Sequence, residues 1–162
     1  MFAKEEDIAA QTARNYDVTF TDSGRVEVVF KSPLVERFDN KPDEGQYYEF
    51  KKGLFIEFYN REGEVESTIS AEYGKYWIDK DLGYARDSVV GKNLLKGDEL
   101  NTEELYWNKE KEKLYSNVFT KITNEEGVFY GEEGFESDQN FDNYKLIGSS
   151  GTVNVKDEDY PK

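Results

Sequence analysis

The feature that most constrains this chain is apolar alternation with a period of two, repeated along most of its length. Val26, Val28 and Phe30 alternate with Glu27 and Lys31, and Leu54, Ile56 and Phe58 do the same. Val65, Ser67, Ile69, Ala71 and Tyr73 form another such run, and Leu114, Ser116, Val118, Thr120 and Ile122 share one face of a further one. Successive side chains of a strand point to opposite sides, so this pattern writes half-buried strands. No window of comparable length carries helical spacing as well. Gly follows polar residues at Asp22-Ser23-Gly24, Arg61-Glu62-Gly63 and Glu125-Glu126-Gly127, where hairpins are expected. Longer charged turns are expected at Asp79-Lys80-Asp81 and Lys109-Glu110-Lys111. Pro33, Pro42 and Pro161 all fall outside the expected central strands.

The strands recur as a unit. TDSGRVEVVFKSP (21–33) aligns with NREGEVESTISAE (60–72), which sets Gly24 on Gly63, Val26 on Val65 and Phe30 on Ile69. A second relation links Tyr76-Trp77 to Tyr106-Trp107, each followed by a charged turn and another strand. A strand–turn–strand unit cannot cover its own apolar face, so successive units must stack or roll around a shared core. The expectation is an all-β fold of antiparallel strand repeats. Its boundaries are an N-terminal arm or short helix over 1–14, a single domain over 15–155 and a flexible tail over 156–162.

Composition narrows the chemistry. A formal charge of −14 and 36% hydrophobic residues lean towards disorder, but an aromatic fraction of 15% supplies far more packing surface than disordered chains carry. The acidic excess disfavours nucleic acid and anionic membrane surfaces as partners. The chain has no His and no Cys, which removes Ser-His-Asp triads, thiolate nucleophiles, disulfides and the commonest metal ligands. Neighbouring acids such as Glu103-Glu104, Glu125-Glu126 and Glu132-Glu133 would diverge on a strand. The opening Asp138-Gln139-Asn140-Phe141-Asp142 has calcium-loop character but lacks the following Gly and the distal Glu, so a solvated loop is expected there. The expectation is a non-enzyme with no cofactor and no metal. Of each adjacent aromatic pair, Tyr76-Trp77 and Tyr106-Trp107, one member is expected to pack inside.

Four stretches resemble the LptC family of lipopolysaccharide-export proteins, in its Bacteroidetes form. They are NYDVTFTDSGRVEVVFKSPLVERF (15–38), EFKKGLFIEFYNREGEVESTISAEYGKY (49–76), GDELNTEELYWNKEKEKLYSN (97–117) and VFYGEEGFESDQNFDNYKL (128–146). The resemblance implies a twisted β-jellyroll, a V-shaped two-sheet roll of the LptA/LptC kind. It implies a lipopolysaccharide-binding transfer role between an inner-membrane ABC transporter and an LptA-like periplasmic jellyroll, met by edge-strand pairing. It implies a periplasmic location, with the family's N-terminal anchor not among these residues. The inward, lipid-facing set is expected to be Val26, Val28, Phe30, Ile56, Phe58, Ile69, Ala71, Tyr73, Val118 and Ile122. The rival reading, from the surface aromatics, is an extracellular carbohydrate-binding or adhesive β-sandwich.

Overall fold

The structure, a computed structural model, describes residue 9 and residues 11–153. It is all-β. The strands in chain order are β1 (Gln11–Asp22), β2 (Arg25–Lys41), β3 (Gly45–Phe50), β4 (Leu54–Tyr59), β5 (Val65–Ala71) and β6 (Tyr73–Trp77), followed by β7 (Leu82–Asn93), β8 (Glu99–Asn108), β9 (Lys113–Ser116), β10 (Thr120–Asn124), β11 (Gly127–Asp138) and β12 (Tyr144–Val153). They form one antiparallel, 12-stranded sheet. The arm expected over 1–14 falls mostly outside the described residues, and its last part is strand: Gln11 to Arg14 pair with β2. The tail over 156–162 lies outside the described residues.

The sheet is folded across its long strands. On one edge β2 pairs β4 through Val28–Lys31 and β3 through Glu36–Phe38. In the same way β7 serves β5 and β6, β8 serves β10 and β9, and β11 serves β10 and β9. A strand with two successive partners on one edge must pass from one layer into another. The crossing points line up. Asn15 stands opposite Pro33 without a ladder partner, Asp87-Ser88 opposes Glu103, and Glu132-Glu133 opposes Gly148. Where one strand ends and the next begins between the two layers, the chain turns at this same line, at 51–53, at Glu72 and at 117–119. Left-handed backbone occurs along it, with Asn15 at φ 52°, Asp87 at 67°, Ser88 at 53° and Gly148 at 68°. The result is the jellyroll-like, two-layered roll that the resemblance implies, bounded by this fold line on one side and by two rows of turns on the other.

The fold line is wired by small hydroxyls. Bending frees backbone groups from the ladder, and a buried orphan costs about 1–3 kcal/mol. Ser32 donates to the carbonyls of Leu34 and Gly53, Thr102 donates to the carbonyl of Phe119, and Thr120 donates to that of Val118. The Ser116 hydroxyl accepts from the Val118 amide. This is why β9 and β10 are two strands and not the single run that alternation over 114–122 suggests.

The repeat in the sequence is real in space. Gly24 and Gly63 sit in equivalent hairpin turns at φ 78° and 83°, and Phe30 and Ile69 flank Ile56 in register. Pro33 and Glu72, the last residues of the two aligned segments, both lie on the fold line. The second relation slips by one residue. The four-residue turns run 78–81 and 109–112, so Trp77 corresponds to Asn108 and Tyr76 to Trp107. A one-residue slip reverses the face, and indeed Tyr76 and Trp107 are the buried members.

Candidate functional site: the inner face and its closure

The inner face is a continuous apolar surface. Val28, Phe30, Ile56, Phe58, Ile69 and Ile122 of the expected lipid-facing set are buried in one cluster with Phe50, Tyr76, Leu100, Trp107 and Phe135. Aromatic contacts join the two layers: Phe30 meets Tyr76 edge-on at 5.7 Å, Phe58 meets Trp107 at 5.5 Å, and Phe20 meets Tyr76 at 5.0 Å. The remaining four members are less deeply placed. Val26 is 40% exposed because it lies two residues from the hairpin turn, beyond the last rung shared with β4. Ala71, Tyr73 and Val118 are only half-buried, because each sits where the chain turns at the fold line.

The layers are in contact in this structure. The void between Phe30, Ile56, Ile69, Ala85, Leu105 and Trp107 measures about 10 Å³, roughly the space one water requires. No acyl chain fits between the layers while they are packed so.

On the side away from the fold line the gap is closed twice. Near β1, Phe20 reaches over to Tyr76, with the Lys109 ammonium 5.8 Å from its ring. Glu27 and Glu112 lie side by side here, and burial first, then the neighbouring Glu112 carboxyl, raise the Glu27 carboxyl above its ordinary value. Near β11, the turn 139–143 folds across the opening. The Ser67 hydroxyl donates to the Gln139 carbonyl at 2.8 Å, and the Trp107 indole donates to Gln139 Oε1 at 3.1 Å. The Asn93 amide donates to the Asn140 carbonyl at 2.7 Å, and Lys96 pairs with Asp142 at 3.0 Å. Phe141, 3% exposed, inserts its ring between the layers. Sequence reasoning assigned this segment to solvent. The signal it held was one aromatic residue alone among four polar ones.

The metal reading of that segment meets a simpler use of Asp138. Its carboxylate accepts from the amides of Asn140, Asp142 and Asn143, which caps the turn. Among the described residues no group of three or more acidic side chains is placed to hold a metal ion. The neighbouring acids Glu103 and Glu104 diverge as expected: Glu103 accepts from the Ser88 amide while Glu104 accepts from the Tyr106 hydroxyl.

A second surface lies on the outer face of β3, β6, β7, β8 and β9. Trp77, Tyr84, Tyr106 and Tyr115 follow one another across the strands, with ring centroids 6.3, 5.0 and 5.1 Å apart. Lys75 stands 4.0 Å over the Tyr47 ring and pairs with Glu44, whose carboxyl it holds below the usual value. Burial and the bond to Glu104 push the Tyr106 hydroxyl up to about 12. The Tyr106 hydroxyl therefore stays protonated at any physiological pH.

No protein-family model and no curated protein matches this chain. Among the described residues no helix is long and apolar enough to cross a membrane.

Proposed function

We propose that this chain is an LptC-like transfer protein that binds lipopolysaccharide on its inner face and hands it along a line of similar rolls. In that role it is periplasmic, held at the inner membrane by a segment outside the described residues, and takes lipid from an ABC transporter. It catalyses nothing; the transporter supplies the energy. Each methylene shielded from water contributes about 0.8 kcal/mol, so a lipid crossing an aqueous space needs a continuous apolar face, which the repeated inward rows supply.

The observation that carries this reading is the pair of open edges. Among the described residues β1 pairs only β2 and β12 pairs only β11, so the roll ends in a long free strand on each side. Such edges are normally blunted by charge or proline. β12, YKLIGSSGTV, carries a single charge and no Pro. A free edge of this kind accepts a strand from another sheet.

Charge placed at Phe30 or Ile69 would unfold a core this tight, so lipid contact is best read by photocrosslinking. A benzophenone side chain at Phe30 or Ile69 should form adducts with lipopolysaccharide, and one at exposed Leu95 should not. Adducts at Leu95 with none at the inner positions would reject the inner-face route.

The outer aromatic row favours a second reading, a carbohydrate-binding module. Its rungs repeat near the spacing of adjacent strands, and hydrogen-bonded carboxylates flank the rings. Trp77 lies in this row and Trp107 in the core, so a polysaccharide-induced fluorescence shift that vanishes in Trp77→Phe would support it. A shift with lipid A alone would count against it.

A further inference from the structure

We propose that the turn 139–143 is an internal plug that imitates the ligand, and that the slot beneath it takes an acyl chain joined through an amide or ester carbonyl. This rests on the lipid-binding reading above and names the site and the linkage chemistry.

The slot is built from residues far apart in sequence. Ser67 on β5, Asn93 on β7 and Trp107 on β8 are all fully or nearly fully buried, and each aims a donor at the plug. What they meet is a row of carbonyl oxygens: the Gln139 backbone, the Gln139 side-chain amide and the Asn140 backbone. Beside these acceptors Phe141 supplies an apolar group. Its ring occupies the place a side chain at position 91 would need; a Cβ on Gly91 would come within 2.6 Å of it. Below the ring lie Leu100, Ile122 and Phe135, the end of the inner apolar face. Carbonyls followed by hydrocarbon are what an N- or O-acylated sugar presents.

The plug is held in a conformation that favours release. Phe141 adopts φ 60°, a region costly for a bulky L-residue. The Asn140 side-chain oxygen is buried without a hydrogen-bond partner. Lys96–Asp142 is the outer latch, and both its side chains reach solvent. An amphiphile that satisfied the same three donors and filled the ring's place would replace the turn without leaving a buried donor unpaired. The packed inner face then opens from this end.

The test uses the absence of native cysteines. Lys96→Cys with Asp142→Cys, joined by a short reducible bis-thiosulfonate linker, locks the turn shut. The probes are N-dodecanoyl glucosamine and dodecyl glucoside, which share a chain length but differ in the carbonyl, measured by calorimetry. The locked protein should bind neither, and reduction should restore binding of the amide. The amide should bind roughly tenfold more tightly than the glucoside, as expected when buried donors find acceptors. Asn93→Ala should reduce that preference, and Phe141→Gly, with native folding verified by near-ultraviolet dichroism, should raise affinity for both probes. Equal binding by locked and reduced protein, or no preference for the amide, overturns the plug. If neither probe binds while lipopolysaccharide still crosslinks at Phe30, the plug fails and the transfer reading stands. If the probes bind as described and those crosslinks are absent, the transfer reading fails and the plug stands.

Discussion

At the residue scale, two kinds of side chain hold the roll together, and each makes its own prediction. Phe30 touches Phe20, Phe50, Tyr76 and Trp107, so Phe30→Ala should cost about 3–5 kcal/mol, read from urea unfolding. Thr102 does its work through its hydroxyl, which joins Ser116, Thr120 and the Phe119 carbonyl. Thr102→Val keeps the shape and should still cost about 1–3 kcal/mol, because the Phe119 carbonyl loses its donor and the Thr120 hydroxyl loses an acceptor at the bend. Glu27 offers a pH test. Its folded-state carboxyl is raised above the ordinary 4.5 by burial and by Glu112, with Asp22 adding to the shift and Lys109 opposing it. A raised acid stabilises the fold when protonated. That contribution is complete below the unfolded value and is lost as pH climbs through the elevated one. Melting followed across this window should fall with rising pH, and Glu27→Gln should remove that portion of the dependence. An unchanged pH profile in Glu27→Gln would show that the pair is not coupled to folding.

Among the elements, the free edge of β12 is the most exposed to test. Ser149→Lys puts charge on a solvent-facing position of that strand, and it should leave stability within about 0.5 kcal/mol while weakening association with an edge-pairing jellyroll. Sedimentation of the mixture would read it. The elements are also where reading the chain succeeds and fails. Alternation marks the strands because each has one wet and one dry side, so Ile56, Phe58, Ile69 and Ile122 were legible as inward. Alternation is blind to where a strand bends. A bend keeps the side-chain phase and changes only the partner, so neither the fold line nor the break between β9 and β10 is written in the hydrophobic pattern. Val26 has the right phase and lies past the covered part of the sheet. The turn 139–143 was missed for a different reason: its polar residues are satisfied by distant strands, and no local pattern reports that.

Over the whole molecule, charge and continuity set the behaviour. With a formal charge of −14 the folded roll repels itself, and added salt screens that repulsion. Raising ionic strength from about 0.01 to 0.15 M shrinks the screening length from about 30 to 8 Å, so melting temperature should rise over that range. A fall would show that the few ion pairs, such as Lys31–Glu57 and Lys51–Glu36, outweigh the surplus of acid.

The shared fold line has a consequence for how such a chain changes length. Because every long strand crosses the bend in the same way and the two layers share their strands, there is no lower or upper half to detach. Growth is possible in one direction only, by slipping another crossing strand pair into the middle. Such an insertion would lengthen the apolar corridor by a fixed step and leave both end strands as they were. In this architecture reach and docking are separate variables, and a gene that duplicates one unit alters the first without touching the second.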